Sequence, residues 1–300
     1  MDQTYHNPVL LHESVDGLNI KEDGIYVDAT FGGGGHSKEI LKRLGGNGRL
    51  LAFDQDKDAG ANAIKDDRFR LIQENFRFLK QFLKFYGILE VDGILADFGV
   101  SSHQFDQAER GFSIRFDAQL DMRMDKGNPL SAFEVINSYS HDELATVLLN
   151  YGELRSARAM ADELLKARKK KAIRTTFELK EVLRRFLPKA REHKVLAQIY
   201  QAIRIEVNQE MQALQEFLIQ TPQVIKVGGR LSVISYHSLE DRLVKRFIRE
   251  GKFEGQAEKD FYGNTNVPLK KVGKLIVPSK EEIAKNNRAR SAKLRIAERI

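Results

Sequence analysis

Asp28, Asp54 and Asp97 are the residues of this chain best placed to do chemistry. Asp28 lies near the end of the apolar run 25–29, and Asp54 and Asp97 directly follow the runs 49–53 and 91–96. An aspartate at such a point can accept hydrogen bonds from hydroxyl or amino groups and steady positive charge. Just after the first of them comes Phe31-Gly32-Gly33-Gly34-Gly35-His36-Ser37. Glycines let the backbone come close to a ligand, because no Cβ stands in the way. A helix starting there offers N–H groups and the positive end of its dipole to anything polar or anionic.

Several ligands could use such a turn. A phosphate-binding loop needs lysine after its last glycine, and His36 stands there instead. A dinucleotide fingerprint counted from Gly33 and Gly35 places Lys38 where its third glycine belongs. The spacing acidic-x-x-x-Gly-x-Gly, met by Asp28, Gly32 and Gly34, resembles the first-strand motif of S-adenosylmethionine (SAM) methyltransferases. A glycine-rich surface turn without a ligand is the plain alternative. Asp54, at the tip of a second strand, suits ribose hydroxyls. Asp56 stands in reserve, and fits equally as the N-cap of a helix over 57–64. Phe76 follows a third strand (69–72) and either stacks on an adenine ring or packs in the core. His6 and His12 are candidate substrate contacts, or surface residues.

These positions imply the elements that must hold them. Strand and helix patterns alternate four times before residue 105, which predicts a parallel sheet in a doubly wound α/β fold with its ligands beyond the carboxyl ends of the strands. From about 106 to 194 no strand pattern occurs, and helices are expected near 132–137, 141–150, 155–168 and 176–186. The expectation is a Rossmann-like methyltransferase sheet with an inserted helical domain: 1–105 and 195–300 form the sheet domain, and 106–194 a substrate-recognition insert. A long helix over 195–218, a fifth strand over 228–234 and a final edge strand through Leu294 and Ile296 complete it. Ser238 with Asp241 reads as the cap of a helix over 239–248.

With 300 residues, 42% of them hydrophobic, the chain can build a sizeable core. It has no cysteine, which excludes disulfides and thiolate metal sites. No histidine or acidic cluster has zinc spacing. No run of eighteen apolar residues suggests a membrane span and no signal peptide is evident, so a cytoplasmic location is expected. The net charge of +7 favours a polyanionic partner. The basic run 168–174, with Arg288, Arg290 and Lys293, could grip phosphates or form solvated faces.

The blocks HNPVLLHE, YVDATFGGGGHS, LLAFDQD, DGILADFGVSS, ERGFS, LDMRMD, QAIRIEVNQE, LSVISYHSLEDR and NNRARSAKLRIAER occur in order from Tyr5 to Arg299. Together they closely resemble the bacterial small-subunit ribosomal RNA methyltransferase H family, also called MraW. The resemblance implies a SAM-dependent enzyme that methylates the exocyclic N4 of a cytidine in the decoding region of 16S ribosomal RNA. Its partner would be that RNA, bare or within the assembled small subunit; a homodimer is compatible with the sequence. Carried over by motif, Gly34, Gly35, His36, Asp54, Phe76, Asp97 and Gln104 contact SAM, and Asp97 also acts on the target amino group. Two departures stand out: His103 where many members have proline, and Glu192-His-Lys-Val-Leu-Ala where a His-Pro-Ala form is usual. The Asp97-Phe-Gly-Val sequence keeps the carboxylate of the amino-methyltransferase Asp/Asn-Pro-Pro-aromatic motif, without its proline pair. The competing readings are a SAM- or RNA-binding assembly factor with little turnover, and a NAD-dependent oxidoreductase, disfavoured by Lys38.

Overall fold

The computed structural model of the protein describes residues 8–100, 107–258, 261–262 and 266–300. They form two compact units, one of Met1–Gly99 with Met211–Ile300 and one of Val100–Glu210. His6, His103 and Gln104 lie outside the described residues.

The first unit is built on a seven-stranded sheet: β1 (Ile25–Asp28), β2 (Arg49–Phe53), β3 (Phe69–Ile72), β4 (Val91–Asp97), β5 (Ile225–Ser235), β6 (Leu269–Ile276) and β7 (Lys293–Arg299). Their order is β3-β2-β1-β4-β5-β7-β6, with β1 to β5 parallel and β7 antiparallel to both its neighbours. This is the expected doubly wound α/β sheet. Residues 91–96 are all buried, as a parallel strand covered on both faces requires. Alternate residues serve opposite faces. Val27, Leu51 and Ile94 join the cluster with Leu79, Leu83, Phe217 and Leu218, whereas Tyr26, Leu50 and Leu95 join Val15, Leu18, Ile40 and Leu41. The strand order reverses between β1 and β4, where Asp28 pairs with Leu95. Their carboxyl ends therefore open the crevice at which such sheets bind ligands.

The antiparallel end differs from expectation. β7 is an interior strand, with β5 on one side and β6 on the other. β6 has no counterpart in the sequence reading, because its residues LKKVGKLI carry three lysines and Gly273 at φ 64, where the register with β7 shifts. Lysines and a bulge on the outermost strand discourage pairing with another chain.

The second unit is helical. Its helices, Ala132–Ser138, His141–Asn150, Ala157–Arg168, Thr176–Val182 and Glu192–Asn208, share a core that includes Leu144, Leu148, Met160, Leu164, Ile199 and Ile203. Three begin with reciprocal capping boxes: Ser131 with Glu134, Ser140 with Glu143, and Thr175 with Glu178. The single helix expected over 195–218 is two, Glu192–Asn208 and Glu210–Val224, because Gln209 takes a left-handed conformation at φ 50. The first of them belongs to the helical unit. The helix expected over 57–64 is a 3-10 turn, Lys57–Asn62, capped by Asp56, which accepts a bond from the Asp58 N–H.

Candidate active site

The glycine turn is held from behind by Asp28. Its carboxylate is fully buried, Oδ1 accepting from the Thr30 N–H at 3.1 Å and Oδ2 from the Ser37 hydroxyl at 2.6 Å. Burial pushes the Asp28 carboxyl up, and the His36 charge and these bonds pull it back. Asp28 thus ties the end of β1 to the first turn of the helix Gly35–Arg43. Gly34 sits at φ 75, and a Cβ there would come within 2.9 Å of the Phe31 ring. On Gly35 a Cβ would meet Pro8 Cγ at 2.1 Å. The turn keeps this course, packed against Phe31 and Pro8, only if both remain glycine.

Asp54 caps the other side of the same turn. Its Oδ2 accepts from the Gly32 N–H at 2.8 Å and its Oδ1 from the Asp56 N–H at 2.8 Å. Each oxygen keeps a further lone pair, as two ribose hydroxyls would need. Burial pushes the Asp54 carboxyl up to about 6. Phe76 stands after β3, half-buried, with its ring 5.5 Å from that of Phe98 and 5.3 Å from that of Phe217. Part of its surface serves the core, and part remains for a ligand.

Asp97 closes β4. The Thr30 hydroxyl accepts its backbone N–H at 2.6 Å, so the ends of β1 and β4 are locked together. The side chain is 22% exposed, and its Oδ2 lies 3.9 Å from His36 Nδ1. His36 itself is buried; its Nε2 is 3.2 Å from the Val9 carbonyl. A carbonyl only accepts, so Nε2 is assigned a proton toward Val9. His36, expected on SAM, is thus placed beside the Asp97 carboxylate. The Tyr236 side chain stands near that carboxylate, and Oδ1 is buried with no hydrogen-bond partner among the described residues. Burial pushes the Asp97 carboxyl up to about 6, against the pull of His36 and Tyr236.

Tyr236 and Glu240 escaped the sequence reading. The cap of the helix Ser238–Glu250 is His237, not Ser238, and its third residue is Glu240. Glu240, 2% exposed, accepts from the Tyr236 N–H at 2.8 Å and the His237 N–H at 3.3 Å. Asp241, expected in the cap, instead binds Arg295 at 2.7 Å and Lys293 at 3.2 Å. The usable signal was register: Ile234 pairs with Asp97 across a parallel ladder, so residues just beyond it share the mouth of the sheet.

The proposed phosphate grips separate in the same way. Arg168 donates to the carbonyls of Ile136 at 2.8 Å and Tyr139 at 2.6 Å, finishing the end of a helix. Lys171 pairs with Glu178 at 2.6 Å, whereas Lys169, Lys170 and Arg174 are exposed. In the tail Lys293 is spent on Asp241, Arg288 is half-buried and Arg290 is exposed.

The MraW methylase family model matches residues 3–300. Ribosomal RNA small subunit methyltransferase H of Flavobacterium johnsoniae is 67% identical over 296 residues, covering 99% of this chain and 98% of the relative. The proteins of the same name from Christiangramia forsetii and Cytophaga hutchinsonii are 65% and 59% identical, covering 99% and 98% of this chain and 98% and 99% of theirs.

Proposed function

Because the chain belongs to the MraW methylase family, we propose that it is a SAM-dependent methyltransferase acting on the exocyclic N4 of a cytidine in the decoding region of small-subunit ribosomal RNA. The observation that carries this reading is Asp97 Oδ1, a buried acceptor without a donor among the described residues, at the switch point of the sheet. An amino group is a donor of the kind it lacks.

The residues fit SAM. Gly34 and Gly35, where a Cβ would collide with Phe31 and Pro8, would bring the main chain close to the cofactor, and Asp54, behind that turn, would hold the ribose hydroxyls. His36, Phe76 and Gln104 complete the cofactor set we propose. When bound, SAM supplies an electrophilic methyl on its sulfonium. Asp97 does the rest of the work. Cytosine N4 is a poor nucleophile, because its lone pair is delocalised into the ring. Asp97 accepts one N4–H, turns the amino group so that its lone pair leaves the ring plane, steadies the positive charge that develops, and takes the N4 proton released as the N–CH3 bond forms. Ring carbon C5 is disfavoured as the target, since the usual route needs a cysteine nucleophile and the chain has none.

The helical unit is proposed to recognise the substrate, with Lys169, Lys170 and Arg174 as phosphate contacts. A small-subunit RNA substrate supports a cytoplasmic location, and no helix among the described residues is long and apolar enough to cross a membrane. The test is nucleoside analysis of small-subunit RNA after incubation with labelled SAM. N4-methylcytidine is expected. 5-Methylcytidine overturns the mechanism, N6-methyladenosine overturns the choice of base, and no labelled nucleoside favours an assembly factor that binds without turnover.

A further inference from the structure

The net positive charge of the chain is not spread evenly. Residues 225–300 hold 18 lysines and arginines against 9 aspartates and glutamates, whereas residues 1–224 hold 31 against 33. The excess therefore sits at the antiparallel end of the sheet, on β5, β6, β7 and the segments between them.

Several of those cations are occupied. Lys226 pairs with Asp92, Arg230 with Glu298, Arg249 with Glu250, and both Lys293 and Arg295 with Asp241. The lysines of β6 are not. Lys270, Lys271 and Lys274 are exposed, as are Lys280 and Arg290. Among the described residues, none of the five has an acidic side chain within ion-pair distance. Glu298, across from Lys270 in the ladder, is taken by Arg230.

Register fixes where these cations stand. Asp97 pairs with Ile234, Ile234 with Leu294, and Leu294 with Ile276, so Asp97 and Ile276 share one row across the sheet. Three strand spacings of about 4.8 Å put them about 14 Å apart. β6 is antiparallel to β7 and hence parallel to β5, so Lys274 lies toward the same carboxyl-end mouth as Asp97, and Lys280 follows it. Arg290 joins them in the 3-10 turn Asn287–Ser291, which leads into β7 where Lys293 pairs with Ser235. Lys271 and Lys270 continue the line down the edge.

We propose that this edge, Lys270, Lys271 and Lys274 of β6 with Lys280 and Arg290, is a docking track for the phosphates of the RNA substrate. It seats nucleotides that flank the target while the target base reaches Asp97. The inference rests on the reading of the protein as an RNA methyltransferase, and adds a contact surface on the sheet unit to the one proposed on the helical unit.

Charge and length fit such a partner. From residue 270 to 276 the strand covers about 20 Å at about 3.3 Å per residue, the length of about six stacked nucleotides at about 3.4 Å each. Unpaired like charges this close repel one another, and each phosphate they meet releases condensed counterions. A strand of another protein is a poorer fit, because lysines and the irregularity at Gly273 discourage pairing along this edge. The plain alternative is that the lysines only guard the edge. Guarding gives no role to Lys280 or Arg290, which lie off the strand.

The test is the salt dependence of binding to small-subunit ribosomal RNA, bare and in the assembled subunit, by the full chain carrying Lys271→Gln and Lys274→Gln. The slope of log affinity against log salt should become shallower by about 1.4, at about 0.7 for each lost phosphate contact, so the deficit shrinks about 2.6-fold with each doubling of salt. The pair Lys65→Gln and Lys84→Gln removes two exposed cations from either side of β3 and should keep the parent's slope. The SAM dissociation constant should not change in either variant. A deficit shared equally by the two pairs, or the parent's slope in both, overturns the proposal. An affinity loss that salt does not modulate assigns the lysines to a protein surface and overturns it too. A shallower slope in a protein whose parent methylates no RNA keeps the track and removes the methyltransferase reading.

Discussion

Asp97→Asn should make the protein more stable while making it inactive. Burial holds the folded carboxyl near 6, whereas the unfolded one ionises at its ordinary 3.8. Between those values the folded chain binds a proton that the unfolded chain has released, so rising pH favours unfolding. The stability lent by the neutral carboxyl is complete below 3.8 and lost once pH passes 6. At about 1.36 kcal/mol per tenfold change in ionisation, the loss approaches about 3 kcal/mol at pH 8. The same relation leaves about half of it at pH 5 and a few tenths near pH 4. The asparagine variant never ionises there, so its advantage over the parent should follow that curve, since other titrating groups cancel in the difference. Urea denaturation of both proteins at pH 5 and pH 8 measures it directly. Methyl transfer should fall by orders of magnitude with SAM affinity little changed, the pattern of a group that acts in the transition state. A variant no more stable than the parent at pH 8 would refute the cost assigned to the buried charge. SAM binding lost in proportion to rate would make Asp97 a cofactor ligand.

Two further substitutions test the rest of the site. Asp54→Ala should weaken SAM binding about tenfold or more, since hydrogen bonds to a charged group contribute about 1.5–3 kcal/mol each; calorimetry showing an unchanged dissociation constant would remove Asp54 from the ribose. Replacing Lys169, Lys170 and Arg174 by glutamine should reduce the slope of log affinity for RNA against log salt by about 2, leaving SAM affinity alone; identical slopes would return those cations to an ordinary solvated face.

The parallel half of the sheet was legible in the sequence because each strand there is a short apolar run closed by a polar residue. β2 and β3 match the expected bounds, and β4 adds only Asp97 itself. β6 was not legible, since an edge strand needs no continuous apolar run and its lysines resemble a solvated loop. Nor was the break at Gln209: apolar spacing continues from Val207 to Leu214, and nothing in a glutamine announces φ 50. In the site, the three aspartates were found, but their division of labour was not. Asp28 looks like a ligand residue in the sequence and serves the turn in the structure, because only the fold brings Ser37 to it. Arg168 likewise belongs to a helix end that the charge pattern cannot reveal. Tyr236 was hidden by distance along the chain, with β4 and β5 adjacent in space and the whole helical unit between them in sequence.

That separation has a consequence for how the protein comes into being. The helical unit is one continuous stretch, whose contacts are local and quick to close, whereas the sheet must wait for strands far apart in the sequence. During synthesis β4 emerges with β1 on one side and nothing on the other until the insert has passed. An apolar strand with a bare edge is a site for mispairing, so this interval is when the nascent chain most needs a chaperone. It is also an interval without catalysis. The aspartate is in place early, but the lysines proposed to seat the RNA arrive only with β6, near the end of the chain.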